Sequence, residues 1–240
     1  MPAEFSSFQK RQLIFEARYD DAYLLWDRTG VLWTSLQQFF KTLKRGEVRP
    51  DRQTFHADGR FNIQITLNRV SFTDFAPDAS WEKSFQVVES CFLEAVAILG
   101  VRVLNRVGTR FQYAVETKSI EDARKRATEY GWAISPGKLF QIDPTSVAPT
   151  FKIEADDGEI GYIAQMYAQE RKVEMDLPPD ALAAGLEAVK KSVSELLIDL
   201  DFMTKKPMPI ESFNIKAWLT GWQSAVNRDV NKFLNLGHKR

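Results

Sequence analysis

Residues 81–100 read WEKSFQVVESCFLEAVAILG, and residues 101–116 continue as VRVLNRVGTRFQYAVE. The first segment repeats apolar side chains at helical spacing, which predicts an amphipathic helix that ends at Gly100. The second segment alternates between apolar residues and polar or basic ones, which predicts a strand, with a bulge at Gly108. A helix followed directly by a long strand predicts an α+β structure in which helices pack on one face of a sheet.

The segments before residue 81 contain further strand patterns and one more helix. Gln12–Tyr19 alternates between apolar and polar residues and is predicted to be a strand, whereas Tyr23–Leu43 has helical spacing and is followed by a helix-ending segment, Gly46–Pro50. Asp58-Gly59 is a turn signal between two extended runs, the second being Phe61–Leu67. The order strand, helix, strand, strand, helix, strand predicts a ferredoxin-like (βαββαβ) half with an antiparallel sheet.

The chain is predicted to have two α+β halves joined by a short connection. Residues 1–135 form the ferredoxin-like half, and residues 150–240 form the second α+β half. Residues 136–149 contain several prolines and a glycine, which predicts a linker. One continuous domain is the alternative to this division.

The second half contains one strong hairpin signal and two helical patterns. Asp157-Gly158 predicts the turn of a hairpin. A helix is predicted to open at Pro178 and to include Val193 and Leu196, followed by a short strand, Leu197–Phe202. The final helix is predicted over Ile215–Leu236.

Composition excludes several classes of protein. The chain has 240 residues, of which 44% are hydrophobic, and its 32 Lys and Arg residues equal its 32 Asp and Glu residues. A protein that holds nucleic acid by neutralising phosphates normally carries a basic excess, so the net charge does not favour nucleic acid as the partner. One cysteine, Cys91, allows no disulfide within the chain. No apolar run approaches the ~20 residues of a membrane span, and no signal-peptide pattern is present, so we expect a cytoplasmic protein with no membrane partner.

The common catalytic and cofactor motifs are missing from the sequence, and no cofactor is predicted. Its two histidines, His56 and His238, lie in a predicted turn and a polar tail. Gly131–Lys138 has a length and composition close to a phosphate-binding loop, but Leu139 stands where such a loop needs Ser or Thr for magnesium. We interpret this segment as a connector and Cys91 as a small buried hydrophobic residue.

One set of residues is typical of a Mg²⁺-dependent nuclease of the restriction-endonuclease type. In such enzymes a carboxylate near one strand and a Glu-x-Lys pair on the next hold the metal and position the attacking water. Asp157, Glu170 and Lys172 have this order, and the last two share a strand face. Asp157 also fits the chemistry of a hairpin turn, which is the alternative for that residue.

The feature most typical of binding is a row of arginines. Arg102, Arg106 and Arg110 recur at even spacing and are predicted to lie on one sheet face, joined by Arg60 from a neighbouring strand. Guanidinium groups in a row suit phosphates, carboxylates or an acidic partner. The alternative is cross-strand ion pairing with Glu16 or with two carboxylates that share a face, Asp199 and Asp201. These two aspartates could also bind a metal, although a solvated strand face is the expected role.

The layout resembles a sporadically distributed family of uncharacterised bacterial and archaeal proteins of similar length. The similar segments are Gln64–Phe72, Trp81–Leu99, Arg106–Tyr113, and Ile198–Phe202 with the terminal helix. Phe111 and Tyr113 depart from the R-x-G-x-R-Y-x-N-type strand of that family. The resemblance implies no activity, but the scattered occurrence of the family is similar to that of mobile-element or defence-associated proteins.

The sequence therefore predicts a non-enzymatic binding or scaffold protein, expected to be a homo-oligomer or a subunit of a larger assembly with a protein partner. Its neutral charge gives little electrostatic repulsion between copies, which is compatible with association. Two alternatives remain open. One is the nuclease described above, and the other is a selective RNA binder that uses an aromatic and arginine-rich sheet face.

Overall fold

The computed structural model describes residues 4–77, 80–132, 150–174 and 190–236. Four α-helices lie in these ranges: α1 (Leu24–Gln37), α2 (Glu82–Leu99), α3 (Ile120–Ala127) and α4 (Ile215–Leu234). The strands are β1 (Gln9–Tyr19), β2 (Leu43–Arg49), β3 (Arg52–Ala57), β4 (Phe61–Thr66), β5 (Arg69–Asp74), β6 (Val103–Glu116), β7 (Thr150–Asp156), β8 (Ile160–Glu174), β9 (Lys190–Thr204) and β10 (Met208–Pro209). None of the described helices is long and apolar enough to cross a membrane.

The ten described strands form one sheet in the order β2-β3-β4-β5-β1-β6-β9-β8-β7, with β10 added beside β6. Every assigned pairing is antiparallel. The α+β class with an antiparallel sheet is confirmed, but this strand order does not confirm a ferredoxin-like first half. Four strands, β2 to β5, follow one another between α1 and α2, where the βαββαβ pattern has two.

The two predicted halves share the sheet because β9 pairs with β6. The predicted linker, residues 136–149, lies outside the described residues.

One side of the sheet, here called the helix-covered face, carries a row of apolar side chains across neighbouring strands. Phe15 of β1 lies opposite Phe72 of β5, and Thr109 of β6 lies opposite Phe202 of β9. Phe92 of α2 meets Phe15 edge to face at 5.2 Å. The indole of Trp218 in α4 donates to the Thr109 hydroxyl at 2.7 Å. Helices α2 and α4 therefore bury this face, and α1 packs against α2.

Helix α2 confirms the pattern read from its sequence. Its apolar stripe is buried, and the helix ends at Gly100, whose left-handed backbone (φ 68°) any side chain would strain. Trp81 precedes the helix and is buried, and its indole N–H donates to the Tyr113 hydroxyl at 3.1 Å. This hydrogen bond satisfies two polar groups that would otherwise be buried without a partner.

Two element predictions were wrong. The helix predicted over Tyr23–Leu43 ends at Gln37. Leu43 begins strand β2, which includes residues 46–49 of the segment expected to end the helix. Val193 and Leu196, predicted to lie on a helix, belong to the long strand β9. The start of that predicted helix, residues 178–189, lies outside the described residues.

The bulge predicted at Gly108 was wrong, and the bulge of β6 lies elsewhere in the strand. Gly108 is paired regularly with Glu16 of β1. The register shifts nearer the start of β6, where Arg106 pairs with Arg18 and Leu104 pairs with Tyr19. Asn105 is the extra residue between them, so the alternation of side chains changes phase before Arg106.

Candidate functional site

The face of the sheet opposite the helix-covered face carries a charged network and is here called the polar face. It is defined by Glu16 of β1, Arg106 and Arg110 of β6, and Asp199 and Asp201 of β9. Successive side chains of a strand point to opposite faces of the sheet. These five side chains therefore point away from the face that contains the buried residues Phe15, Phe111 and Leu200. The structure thus brings two of the three predicted arginines together with the two predicted aspartates.

Arg110 and Asp199 form the strongest pair in this network. The Arg110 Nε donates to one carboxylate oxygen of Asp199 at 2.6 Å, and Nη2 donates to the other. Gln165 adds a third donor to the same carboxylate at 2.9 Å. The Asp199 side chain is 1% exposed whereas that of Arg110 is 36% exposed. The hydrogen bond to Asp199 raises the pKa of Arg110, so the guanidinium stays charged.

A second group of arginines surrounds Glu16. The Glu16 carboxylate lies 2.7 Å from Arg18 Nε, 3.4 Å from Arg69 Nη1 and 3.5 Å from Arg106 Nη1. Arg106 also lies 3.3 Å from the Met203 sulfur. Three cations therefore share one carboxylate, and the cross-strand ion pairing considered for the arginine row accounts for Arg106 as well as Arg110.

Asp201 lies on the polar face between the two arginines of β6. Burial raises the pKa of Asp201, although the nearby charges of Arg106 and Arg110 oppose that shift. With Arg110, Gln165, Asp199 and Lys152, it lines a cavity of about 250 Å³. The expectation of a solvated strand face does not hold for Asp199, which is buried.

Arg102 and Arg60 do not join this row. The extra residue at Asn105 separates Arg102 from the other two arginines, and Arg102 lines a different cavity of about 460 Å³ beside Tyr23 and Gly100. Arg60 lies near α2, where it donates twice to the Asp74 carboxylate, each time at 2.7 Å. The continuous row of free guanidinium groups expected from the sequence is therefore absent from these positions.

The three residues of the nuclease hypothesis are not brought together. The Asp157 carboxylate accepts the backbone N–H groups of Glu159 and Ile160 at 2.9 and 2.8 Å, and these bonds lower its pKa. Glu170 and Lys172 lie near the other end of β8. Glu170 lies ten positions beyond Ile160 along the extended strand, a distance of about 33 Å. Asp157 thus has the turn role that was its alternative.

The arrangement of carboxylates also bears on metal binding. Among the described residues, no three His, Cys, Asp or Glu side chains come together as ligands of one ion. Asp199, one of the two aspartates considered for a metal, already accepts from Arg110 and Gln165. These contacts give the buried carboxylate a structural role on the polar face.

Sequence reasoning missed an apolar groove at the β7 end of the sheet. It is about 350 Å³ in volume and lies between α4 and strands β7 to β9. Its lining includes Ile153, Tyr162, Phe202, Trp222, Phe233 and Leu236. Trp222 stacks on Phe202 with ring centroids 4.3 Å apart, and Tyr162 and Leu236 are 38% and 39% exposed. The aromatic spacing of α4 was visible in the sequence, but its position over β7 and β8 was not.

Strand β7 forms one edge of the described sheet. Among the described strands it pairs only with β8. Its side chains alternate between exposed polar residues and half-buried apolar ones, among them Ile153. Lys152 and Glu154 lie on the exposed side, with their charged groups 3.0 Å apart. An edge strand beside an apolar groove is a surface on which another chain can add a strand.

Comparison of the sequence with models of known protein families and with curated proteins finds no match.

Proposed function

We propose that this chain is a binding or scaffold protein that recognises a protein partner through strand β7 and the adjacent apolar groove. The observation that carries the proposal is the coincidence of two features at one end of the sheet. Among the described strands, β7 has no neighbour on its outer side, so this edge offers backbone hydrogen-bonding groups. The groove beside it exposes Tyr162 and Leu236. Exposed apolar surface next to a sheet edge is typical of interaction sites.

The β7 edge and the apolar groove would contribute differently to the binding of a partner. Main-chain hydrogen bonds to an edge strand give affinity with little dependence on sequence, and apolar pockets beside the strand provide specificity. Ile153 connects the two features, because it belongs to β7 and its side chain lines the groove. The charged residues at the rim, Arg228, Asp229 and Lys232, are suited to a polar border around an apolar centre.

The polar face is a weaker candidate for recognition. Its buried acceptor Asp199 is already occupied, and Glu16 balances the arginines around it. A phosphate or nucleic acid would have to displace these carboxylates before it could use the same guanidinium groups. This competition favours the β7 end over the polar face as the recognition surface.

The proposal is tested by sizing the full-length chain in an extract of its source cells. We expect a particle heavier than the 27.5 kDa monomer. Lys152→Pro should shift the chain towards the monomer, because proline removes an edge N–H and its ring blocks strand addition. Lys152→Ala is the matched control, since it removes the same charge but keeps the N–H.

Far-UV circular dichroism and a thermal melt should show that both variants remain folded. A wild-type chain that runs as a monomer in the extract would refute the proposal. A large particle that Lys152→Pro leaves intact would show that recognition does not use β7.

A further inference from the structure

The hydrogen bonding of the β7–β8 hairpin determines which backbone groups of β7 point away from the sheet. The Asp157 N–H donates to the Ile160 carbonyl at 3.1 Å, and the same register pairs Ile153 with Ala164. In an antiparallel pair, successive residues of one strand point their N–H and C=O groups alternately towards and away from the partner. Ile153 therefore bonds inward to β8, whereas the backbone groups of Lys152 and Glu154 point outward.

The outward groups and the side chains of β7 are complementary to a second copy of the same strand. We infer that the partner at this edge is another molecule of this chain, paired antiparallel through β7 about a two-fold axis at Ile153. This inference rests on the proposed function, because it names the occupant of the β7 edge. In this register Lys152 of each copy lies opposite Glu154 of the other, and Thr150 lies opposite Asp156.

Backbone and side chains favour this register together. The outward-pointing residues Lys152 and Glu154 face each other as hydrogen-bonded pairs, and the central Ile153 residues form a non-hydrogen-bonded pair, in which side chains come closest. On the helix-covered face the register joins Ile153 to Ile153 and Phe151 to Ala155, so apolar residues meet apolar ones. On the polar face it joins a lysine to a glutamate twice.

Neighbouring registers lack this match. A two-fold axis moved by one residue to Lys152 would place two lysines directly opposite each other. An axis at Glu154 would place two glutamates opposite each other. Like charges opposite one another destabilise a strand pair, so the charges of β7 select the register centred on Ile153.

A charge-swap experiment on the purified full-length chain tests the inference by sedimentation velocity and light scattering. The wild type should form a dimer of twice 27.5 kDa. Lys152→Glu and Glu154→Lys, each alone, should weaken the dimer about tenfold, because each places like charges opposite one another at two positions. A mixture of the two variants should restore association, since the heterodimer has an opposite-charge pair at both positions.

Cysteine cross-linking tests the register independently of charge. Under mild oxidation, Ile153→Cys should yield a disulfide-linked dimer, because the two residues face each other at the axis. Ala155→Cys is the matched control on the same strand face. Two Ala155 residues would lie four positions apart, roughly 13 Å, which is too far for a disulfide. The native Cys91 is fully buried and should not contribute.

The outcomes separate this inference from the proposed function. A purified wild-type chain that stays monomeric at high micromolar concentration would overturn the inference. If the particle in the extract still depended on β7, the proposed function would stand and the occupant would be a different protein. A dimer in which the charge swap restores nothing, or in which Ala155→Cys cross-links as fast as Ile153→Cys, would overturn the register.

Discussion

Arg110 on β6 and Asp199 on β9 are joined by two hydrogen bonds across neighbouring strands, one at each carboxylate oxygen. They are diagonal neighbours, because Arg110 lies opposite Asp201 and Asp199 lies opposite Gln112. The pair connects the sheet at the junction between the segments before and after the predicted linker. It therefore contributes to the joining of the two parts of the chain into one sheet.

Loss of this pair should destabilise the protein. Arg110→Ala leaves the Asp199 carboxylate buried without its charge partner, and we expect the free energy of unfolding to fall by about 2–3 kcal/mol. Arg106→Ala is the matched control on the same strand, because its partner Glu16 keeps two other arginines and is partly exposed. That change should cost about 1 kcal/mol or less. Urea denaturation measures both, and equal losses would contradict the structural role given to Asp199.

A second buried ion pair supports the packing of α2 on the sheet. Asp74 is 1% exposed and accepts from Arg60 and from the Ser84 hydroxyl of α2, the latter at 2.6 Å. Asp74→Asn removes the charge that balances Arg60 and one acceptor oxygen, so we expect a loss of about 3 kcal/mol. Ser84→Ala, which removes one hydrogen bond and leaves the ion pair, should cost about 1 kcal/mol. A thermal melt in which both variants behave like wild type would contradict this assignment.

The sequence predicts the elements whose pattern is visible along one chain segment. Helix α2 has a full apolar stripe and a glycine at its end, and the Asp157-Gly158 turn has its own local hydrogen bonds. Strand β9 lacks such a pattern because both of its faces are buried, as at Leu196 and Leu197. A continuous apolar run of this kind fits a helix as well as a strand. Strand β2 is mostly exposed and has no alternation to read.

The charged residues show a second limit of sequence reasoning. Even spacing predicted one row for the three arginines, but one extra residue at Asn105 separates Arg102 from the others. Partners such as Arg110 and Asp199 are 89 positions apart along the chain. Such pairs depend on strand order, which the local pattern does not determine. The groove under α4 depends on strand order in the same way.

The pH dependence of the free energy of unfolding should show the effect of the raised pKa of Asp201. Burial raises its pKa, so the folded protein binds a proton more readily than the unfolded chain. The resulting stabilisation is present below the unfolded pKa of about 3.9 and is lost as the pH rises through the raised native pKa. Asp201→Asn should therefore raise the free energy of unfolding at pH 7, by about 0.5 kcal/mol or less. The difference from wild type should shrink as the pH approaches 3.

A variant of Asp201 that lowers stability at pH 7 would show instead that its attraction to Arg106 and Arg110 outweighs the cost of burial.

The reactivity of Cys91 tests the packing of α2 directly. Its side chain is fully buried in the core, and burial, followed by the nearby charge of Glu94, raises the pKa of the thiol to about 12. The thiolate is the reactive form, so at pH 8 the folded protein should react with a disulfide reagent at least a hundredfold more slowly than free cysteine, whose pKa is about 8.5. Complete reaction should follow denaturation. Rapid labelling of the native chain would mean that α2 opens readily, and the core around Phe92 would then be far less stable than its burial indicates.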